Sequence, residues 1–204
     1  DGELTDTAEV SLTIEAVNDA PVLATISDLS FDEDTFLDIM IIANDVDNTN
    51  LTYSISGGSD ITATLSGSDV SFSAPANFNG SETFTVSVSD TDLTDSQSIT
   101  VTVNAVNDAP VATVGLSGST NEDQSVVIAL SGTDIDTNTL TYSLGSDATS
   151  GSVVINGTIA TYTPTSNFNG DDSFSFTVSD GELTDTAEVS LTIEAVNDAP
   201  VLAT

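Results

Sequence analysis

The segment Asn-Asp-Ala-Pro-Val occurs three times, starting at Asn18, Asn107 and Asn197, at spacings of 89 and 90 residues. A period of that length is one domain, so each repeat has to close a small core of its own. Other landmarks fall in the same register. Glu33-Asp34 matches Glu122-Asp123, Asp45-x-Asp47 matches Asp134-x-Asp136, Leu51-Thr52-Tyr53 matches Leu140-Thr141-Tyr142, and Asn77-Phe78-Asn79-Gly80 matches Asn167-Phe168-Asn169-Gly170. A longer period lies over this one, because residues 1–25 recur letter for letter as residues 180–204. The simplest reading is an alternating array of two repeat types. It predicts complete repeats at 18–106 and 107–196, with residues 1–17 as the last strand of a preceding repeat and 197–204 as the start of the next.

Within a repeat the pattern is that of strands. Apolar and small polar residues alternate through Phe84-Thr85-Val86-Ser87-Val88 and Ile99-Thr100-Val101-Thr102-Val103, the period of a strand with one buried face. No stretch carries a helical period. Asn156-Gly157 between two β-rich runs predicts a hairpin, and Gly67 stands at the matching place in the first repeat. About seven short strands per ~90 residues, separated by Gly, Asn, Asp and Ser, predict an all-β chain of two tandem Ig-like antiparallel sandwiches. Phe78, Phe84, Phe168, Phe174, Tyr53 and Tyr142 are expected in the cores.

Charge narrows the chemistry further. The chain has 33 Asp and Glu residues, no Lys, Arg or His, and no Cys, giving a formal net charge of −33. Without basic residues it has nothing to place on nucleic-acid phosphates or on an anionic membrane surface. Disulfides, thiolate nucleophiles, imidazole bases and zinc sites built from Cys or His are all excluded. No apolar run approaches the ~20 residues of a membrane-spanning helix. With 38% hydrophobic residues the chain can fold, so its carboxylates either repel one another in salt or meet divalent cations.

Asp45-x-Asp47 and Asp134-x-Asp136 follow an apolar run and precede another, which puts both pairs on a loop at one end of a repeat. Two carboxylates at i and i+2 in extended backbone point the same way and suit one cation. They do not open an EF-hand, because the sixth loop position is Asn50 or Thr139 where Gly is needed, and the twelfth is Ser56 or Gly145 where Glu is needed. Scattered acids such as Asp60, Asp69 and Asp147 read as solubilising surface. The glycosylation sequons at Asn50, Asn79 and Asn156 are in two cases better explained by Asn-Gly turns.

From Val178 to Val201 the run Ser-Asp-Gly, alternating Thr and apolar residues, then Val-Asn-Asp-Ala-Pro-Val resembles the last two strands and linker of a cadherin repeat. Over essentially its full length the chain is similar to the bacterial cadherin-like branch of that superfamily, found as tandem repeats in large secreted adhesins. The resemblance implies calcium between successive repeats. For the central junction it implies Glu33 from the first repeat, Asn107, Asp108 and the carbonyl of Ala109 from the linker, and Asp134, Asp136 and Asp180 from the second. At the first repeat's upper end it implies Asn18, Asp19, Asp45, Asp47 and Asp90, and at the far end Glu122, Asn197 and Asp198. The chain departs from animal cadherins in lacking Leu-Asp-Arg-Glu; the corresponding region reads Ser73-Ala74-Pro75-Ala76-Asn77.

The function expected on this basis is a calcium-rigidified stalk in an extracellular bacterial adhesin. Its partners would be calcium ions and neighbouring repeats, with cell-surface or polysaccharide ligands reached through other domains. A calcium-dependent polysaccharide- or protein-binding module beside an extracellular enzyme is the alternative, weakened by the absence of Trp and the presence of only three Tyr. An enzyme is not expected. Only a carboxylate pair of the glycosidase kind could serve, across a cleft that two small sandwiches do not offer.

Overall fold

The computed structural model describes residues 2–137 and 139–199. It divides into two compact units, Asp1–Val106 and Asn107–Thr204. Among the described residues all regular structure is β, and no helix is long and apolar enough to cross a membrane.

The first unit contains β1 (Val22–Leu23), β2 (Leu29–Asp32), β3 (Phe36–Met40), β4 (Ala43–Asn44), β5 (Thr52–Gly57), β6 (Thr62–Ser66), β7 (Asp69–Ser73), β8 (Gly80–Ser89) and β9 (Thr94–Asn104). One sheet runs β2-β9-β8-β5, the other β3-β7-β6, and β1 pairs with β4. The second unit repeats this with β10 (Val111–Ala112), β11 (Leu116–Asn121), β12 (Val126–Ala129), β13 (Gly132–Thr133), β14 (Thr141–Ser146), β15 (Gly151–Asn156), β16 (Ile159–Pro164), β17 (Gly170–Ser179) and β18 (Thr184–Glu194). Its sheets are β11-β18-β17-β14 and β12-β16-β15, with β10 paired to β13.

Nine segments per unit amount to seven strands, because two strands change sheet partway. The Ile41 amide bonds to Ser68 and the Ile42 carbonyl accepts from Ala24, so the chain leaves β7 at Ile41 and joins β1 at the next residue. The opening strand divides in the same way into β1 and β2. Its second half lies parallel to β9 in register Leu29↔Val101 to Asp32↔Asn104, and β11 lies parallel to β18. The sandwiches are therefore antiparallel apart from one parallel pair each.

The alternating runs bury alternate residues. Phe84, Val86 and Val88 on β8 lie beside Ile99, Val101 and Val103 on the neighbouring strand β9 within one core, joined by Val70 and Phe72 of β7 in the other sheet. The Phe72 and Phe84 rings meet edge to face at 5.3 Å, a geometry that adds roughly 0.5–1.5 kcal/mol to the area buried. In the second unit Phe174, Phe176 and Val178 pack with Ala187, Val189, Leu191, Ile193, Ala160 and Tyr162. Phe78, Phe168, Tyr53 and Tyr142 are half-buried against these cores. Both expected hairpins form. Asn156 pairs with Ile159 and Ser66 with Asp69, leaving Gly157-Thr158 and Gly67-Ser68 as the central residues, so that the second unit's turn centres one residue later than Asn156-Gly157. Positive φ is needed at the first of these, where Gly67 and Gly157 stand.

Candidate metal centre

The end of the first unit that carries Asn18 is built from three loops. Asp45-x-Asp47 leaves β4 and turns back toward β5, and the Asp45 Oδ1 accepts the amides of Asp47 and Asn48, both at 2.7 Å. That turn leaves the Asp47 Oδ2 to accept the amide of Asp19 at 2.7 Å. Asp90, in the β8–β9 turn, accepts the amides of Asp92 and Leu93 through Oδ1, and its Oδ2 takes the Asn18 carboxamide at 2.7 Å. The Asn18 Oδ1 in turn accepts from the Asn48 side chain. Asn18, Asp19, Asp45, Asp47 and Asp90 are thus members of one hydrogen-bonded network, with Asn48 as an added member.

The second unit repeats the construction. Asp134 Oδ1 accepts the amides of Asp136 and Thr137, Asp136 Oδ2 accepts the amide of Asp108, and Asp180 accepts Glu182, Leu183 and the Asn107 carboxamide. The amide of Leu93 and the Asn18 carboxamide hold Asp90 below the ordinary carboxylate range. For Asp180 the Asn107 carboxamide is the first cause, followed by the amides of Glu182 and Leu183. Both groups are thereby kept ionised.

At the opposite end of each unit sits one buried glutamate. Glu33 is 4% exposed; its Oε1 accepts the Val106 amide at 2.6 Å, and its own amide bonds to Asn104. Glu122 does the same with Val196 and Glu194. The Asn197 side chain donates to the Asp198 carbonyl. Ala109 is exposed. Residues 200–204, within the segment expected to begin a further repeat, lie outside the described residues.

Among the described residues no three carboxylates gather into a group that could hold a metal ion by themselves. They are joined in pairs, through backbone amides and through Asn18 or Asn107. Among the described residues, however, three carboxylate oxygens are buried and accept no hydrogen bond: Glu33 Oε2, Asp45 Oδ2 and Asp134 Oδ2. The other oxygen of the same carboxylate accepts one amide in Glu33 and two in Asp45 and Asp134. The donor set is made of hard oxygens, which fits a calcium-type cation and no softer one.

Several residues with comparable roles escape a motif search. Glu82 accepts the amides of Ser59, Asp60 and Ile61 and the Ser59 hydroxyl, with its pKa drawn down to about 2 chiefly by Ser59. Asp172, its counterpart, accepts from Thr149, Ser150 and the buried Tyr162 hydroxyl. Asp95 and Asp185 hold the amides of Leu23 and Ala112. The signal was available, since each pair is 90 residues apart, as Asp90 and Asp180 are. Of the aromatic side chains among the described residues, Phe36 alone is exposed, too little for a sugar-stacking platform.

The sequence matches the bacterial Ig domain family twice, over residues 18–102 and 107–192. Among solved structures, the fold is similar to human protocadherin-24 EC1-2, with 22% identity, a TM-score of 0.58, and coverage of 89% of this chain and 100% of that one. It is similar also to Drosophila N-cadherin EC1-4, with 15% identity, a TM-score of 0.53, and coverage of 87% of this chain and 50% of that one. Both likenesses concern the fold. An endo-fucoidan hydrolase of glycoside hydrolase family 107 aligns at 21% identity and a TM-score of 0.38, over 87% of this chain. That likeness carries no argument, and this chain spans only 29% of that protein's length. No curated protein matches the sequence.

Proposed function

The chain belongs to the bacterial Ig domain family, and from that premise we propose that its repeats, 18–106 and 107–196, are calcium-stiffened spacers in an extracellular bacterial adhesin. The observation that carries this reading is the set of buried carboxylate oxygens without a donor, Glu33 Oε2, Asp45 Oδ2 and Asp134 Oδ2. A charged oxygen removed from water and left unpartnered is penalised by several kcal/mol. This chain has no Lys, Arg or His with which to answer it. A divalent cation would answer it, and calcium takes about six to eight oxygen ligands of this kind.

In this proposal Asn18, Asp19, Asp45, Asp47 and Asp90 hold a cation at one end of the first repeat. Asn107, Asp108, the Ala109 carbonyl, Asp134, Asp136 and Asp180 hold another, to which Glu33 contributes. Chain connectivity supports including Glu33: its carboxylate holds the amide of Val106, the residue before Asn107. Glu122, Asn197 and Asp198 would begin a third set. Ions that tie the end of one repeat to the start of the next would turn flexible joints into stiff ones, at external calcium concentrations, by mass action. Length and stiffness, rather than a reaction, would be the product.

The test is small-angle scattering and scanning calorimetry of the whole chain in calcium and in chelator. The expected result is a more extended and less variable particle in calcium, with higher melting temperatures. In Glu33→Gln and Asp134→Asn the calcium-induced shift should fall by half or more while the melting temperature in chelator holds or rises, since each change removes a buried charge. Identical scattering and melting in calcium and chelator would rule the proposal out.

A further inference from the structure

The strand switch at Ile41 leaves one edge of the first unit open. β1 lies beside this strand only as far as Ala24, whose amide bonds to the Ile42 carbonyl. The chain then crosses to the other sheet, leaving β3 at the edge of β3-β7-β6. Ile41 donates to Ser68, one step beyond the Met40↔Asp69 pair of the β3–β7 ladder. Leu37 and Ile39 therefore bond to β7, while Asp38 and Met40, alternating with them, turn their amides and carbonyls to the open side. Among the described residues no hydrogen bond reaches those groups.

The crossing segment 24–28 is held off β9 by side chains. Gln97 brackets Ile26, accepting its amide and donating to its carbonyl, and the Asp28 carboxylate takes the Thr100 amide. In the second unit Ala187 stands for Gln97, and β11 pairs with β18 directly at Leu116 and Ser117, the counterparts of Ser27 and Asp28. Between the crossing segment and β3 lies a groove of about 240 Å³ whose lining includes Ile26, Leu29, Ile39, Met40 and Ile42. Along its rim Phe36, Met40 and Ile42 are 69%, 61% and 51% exposed, with Asp38 exposed between the first two. The second unit has Ser125, Ala129 and Ser131 at those three positions and Val127 at the place of Asp38. The stripe thus belongs to the first repeat and not to the fold.

We infer that this edge docks an extended segment of another protein, with alternating apolar and cationic side chains, added as a strand along residues 36–40. Its main chain would bond to Asp38 and Met40, and its inward side chains would enter the groove over Ile26 and Leu29. A Lys or Arg on its outer side would lie beside Asp38, with Asp69 next to it on β7. Strand addition draws affinity from main-chain bonds and selectivity from alternate side chains. Charge selects the occupant: a second copy of this chain brings 33 carboxylates and no cation, and like charges across a strand pair repel.

The inference does not rest on calcium, and the test uses the whole chain in chelator and in calcium alike. The probe is a short synthetic peptide of alternating Val and Lys, titrated in about 0.15 M salt, where diffuse attraction to the acidic surface is screened. Amide chemical shifts should move saturably at Asp38, Met40 and residues 24–29, without matching changes at 125–131, and equally in both conditions. N-methylating the peptide's bonding amides, or replacing its Lys by Glu, should abolish the changes. Asp38→Lys, or Phe36→Ser with Met40→Ala, the residues of the second unit at those positions, should each weaken binding by about tenfold or more and leave the melting temperature unchanged. Shifts spread evenly over both units, indifference to N-methylation, or variants that bind as before would each overturn the assignment. Edge shifts on concentrating the chain alone would give the edge to a second copy and overturn it as well.

Discussion

One residue in the site's framework sits against its own backbone preference. Thr91 has φ of 95°, a region that β-branched residues rarely enter and that stores roughly 1–3 kcal/mol. The second unit has Gly181 at the equivalent turn position, with φ of 113°, so Ser-Asp-Gly has become Ser89-Asp90-Thr91. Thr91→Gly should stabilise the first unit by about 1 kcal/mol after the added flexibility of the unfolded chain is counted, raising its melting temperature by about 4–8 °C. Gly181→Thr should lower the second unit's melting temperature by a similar amount, read as the other calorimetric transition. A buried hydroxyl gives a second prediction. Tyr162 donates to Asp172 and Ser150, and burial, with Asp172 beside it, pushes its pKa up out of the usual phenol range. Tyr162→Phe should cost about 1.5–3 kcal/mol, the value of a hydrogen bond to a charged acceptor, and should leave any calcium response unchanged. At this scale the sequence is partly legible. The Asp-x-Asp pairs announce themselves by spacing, because i and i+2 carboxylates share a direction. Asn48 and Tyr162 do not, because their partners lie 30 and 10 residues away and only the folded loops bring them together.

Among the strands, the alternation in β8 and β9 reads directly as burial because one face of each is core. The short segments β1, β4, β10 and β13 read less well. They are two residues each, and strand switching at Ile41 and Leu130 depends on carbonyls presented by distant segments. The parallel pairing of β2 with β9 is invisible for the same reason: alternation gives a strand's faces, not its neighbour's direction. The two repeats also diverge at the end of β5. There Gly57 pairs with Phe84 in unbroken register, whereas β14 shifts register between Leu144 and Ser146. A Cβ on Gly57 would stand 2.3 Å from the Thr83 carbonyl oxygen, at φ of 120°, so β8 would have to move. Gly67, in its hairpin turn, has positive φ but open space around it. Gly57→Ala should therefore destabilise the first unit by more than ~2 kcal/mol, and Gly67→Ala by only ~1 kcal/mol, the strain of the left-handed region alone. Equal losses in urea unfolding would contradict the close approach to β8.

For the whole molecule the decisive quantity is a charge of −33 with no basic residue to offset it. Repulsion among exposed carboxylates is long-ranged and is screened by any salt, with a Debye length of ~10 Å at 0.1 M. The partnerless oxygens of Glu33, Asp45 and Asp134 are different in kind, because they are buried and screening reaches buried charge poorly. Sodium chloride should therefore raise the melting temperatures gradually over tens to hundreds of millimolar. Calcium at matched ionic strength should add a saturable increase on top, worth ~2.7 kcal/mol once its concentration reaches ~100 times the dissociation constant. Magnesium, which demands a near-octahedral shell and sheds water reluctantly, should give a smaller saturable part than calcium. Protonation supplies an independent check. Asp90 and Asp180 titrate below their unfolded values, so their contribution is complete above the unfolded pKa and drains away as pH falls through the lowered one. The calcium increment should disappear over the same acid range, since calcium and protons compete for the same oxygens. Superposable sodium and calcium curves at equal ionic strength would mean that diffuse repulsion alone governs this chain and that its buried carboxylates hold no ion.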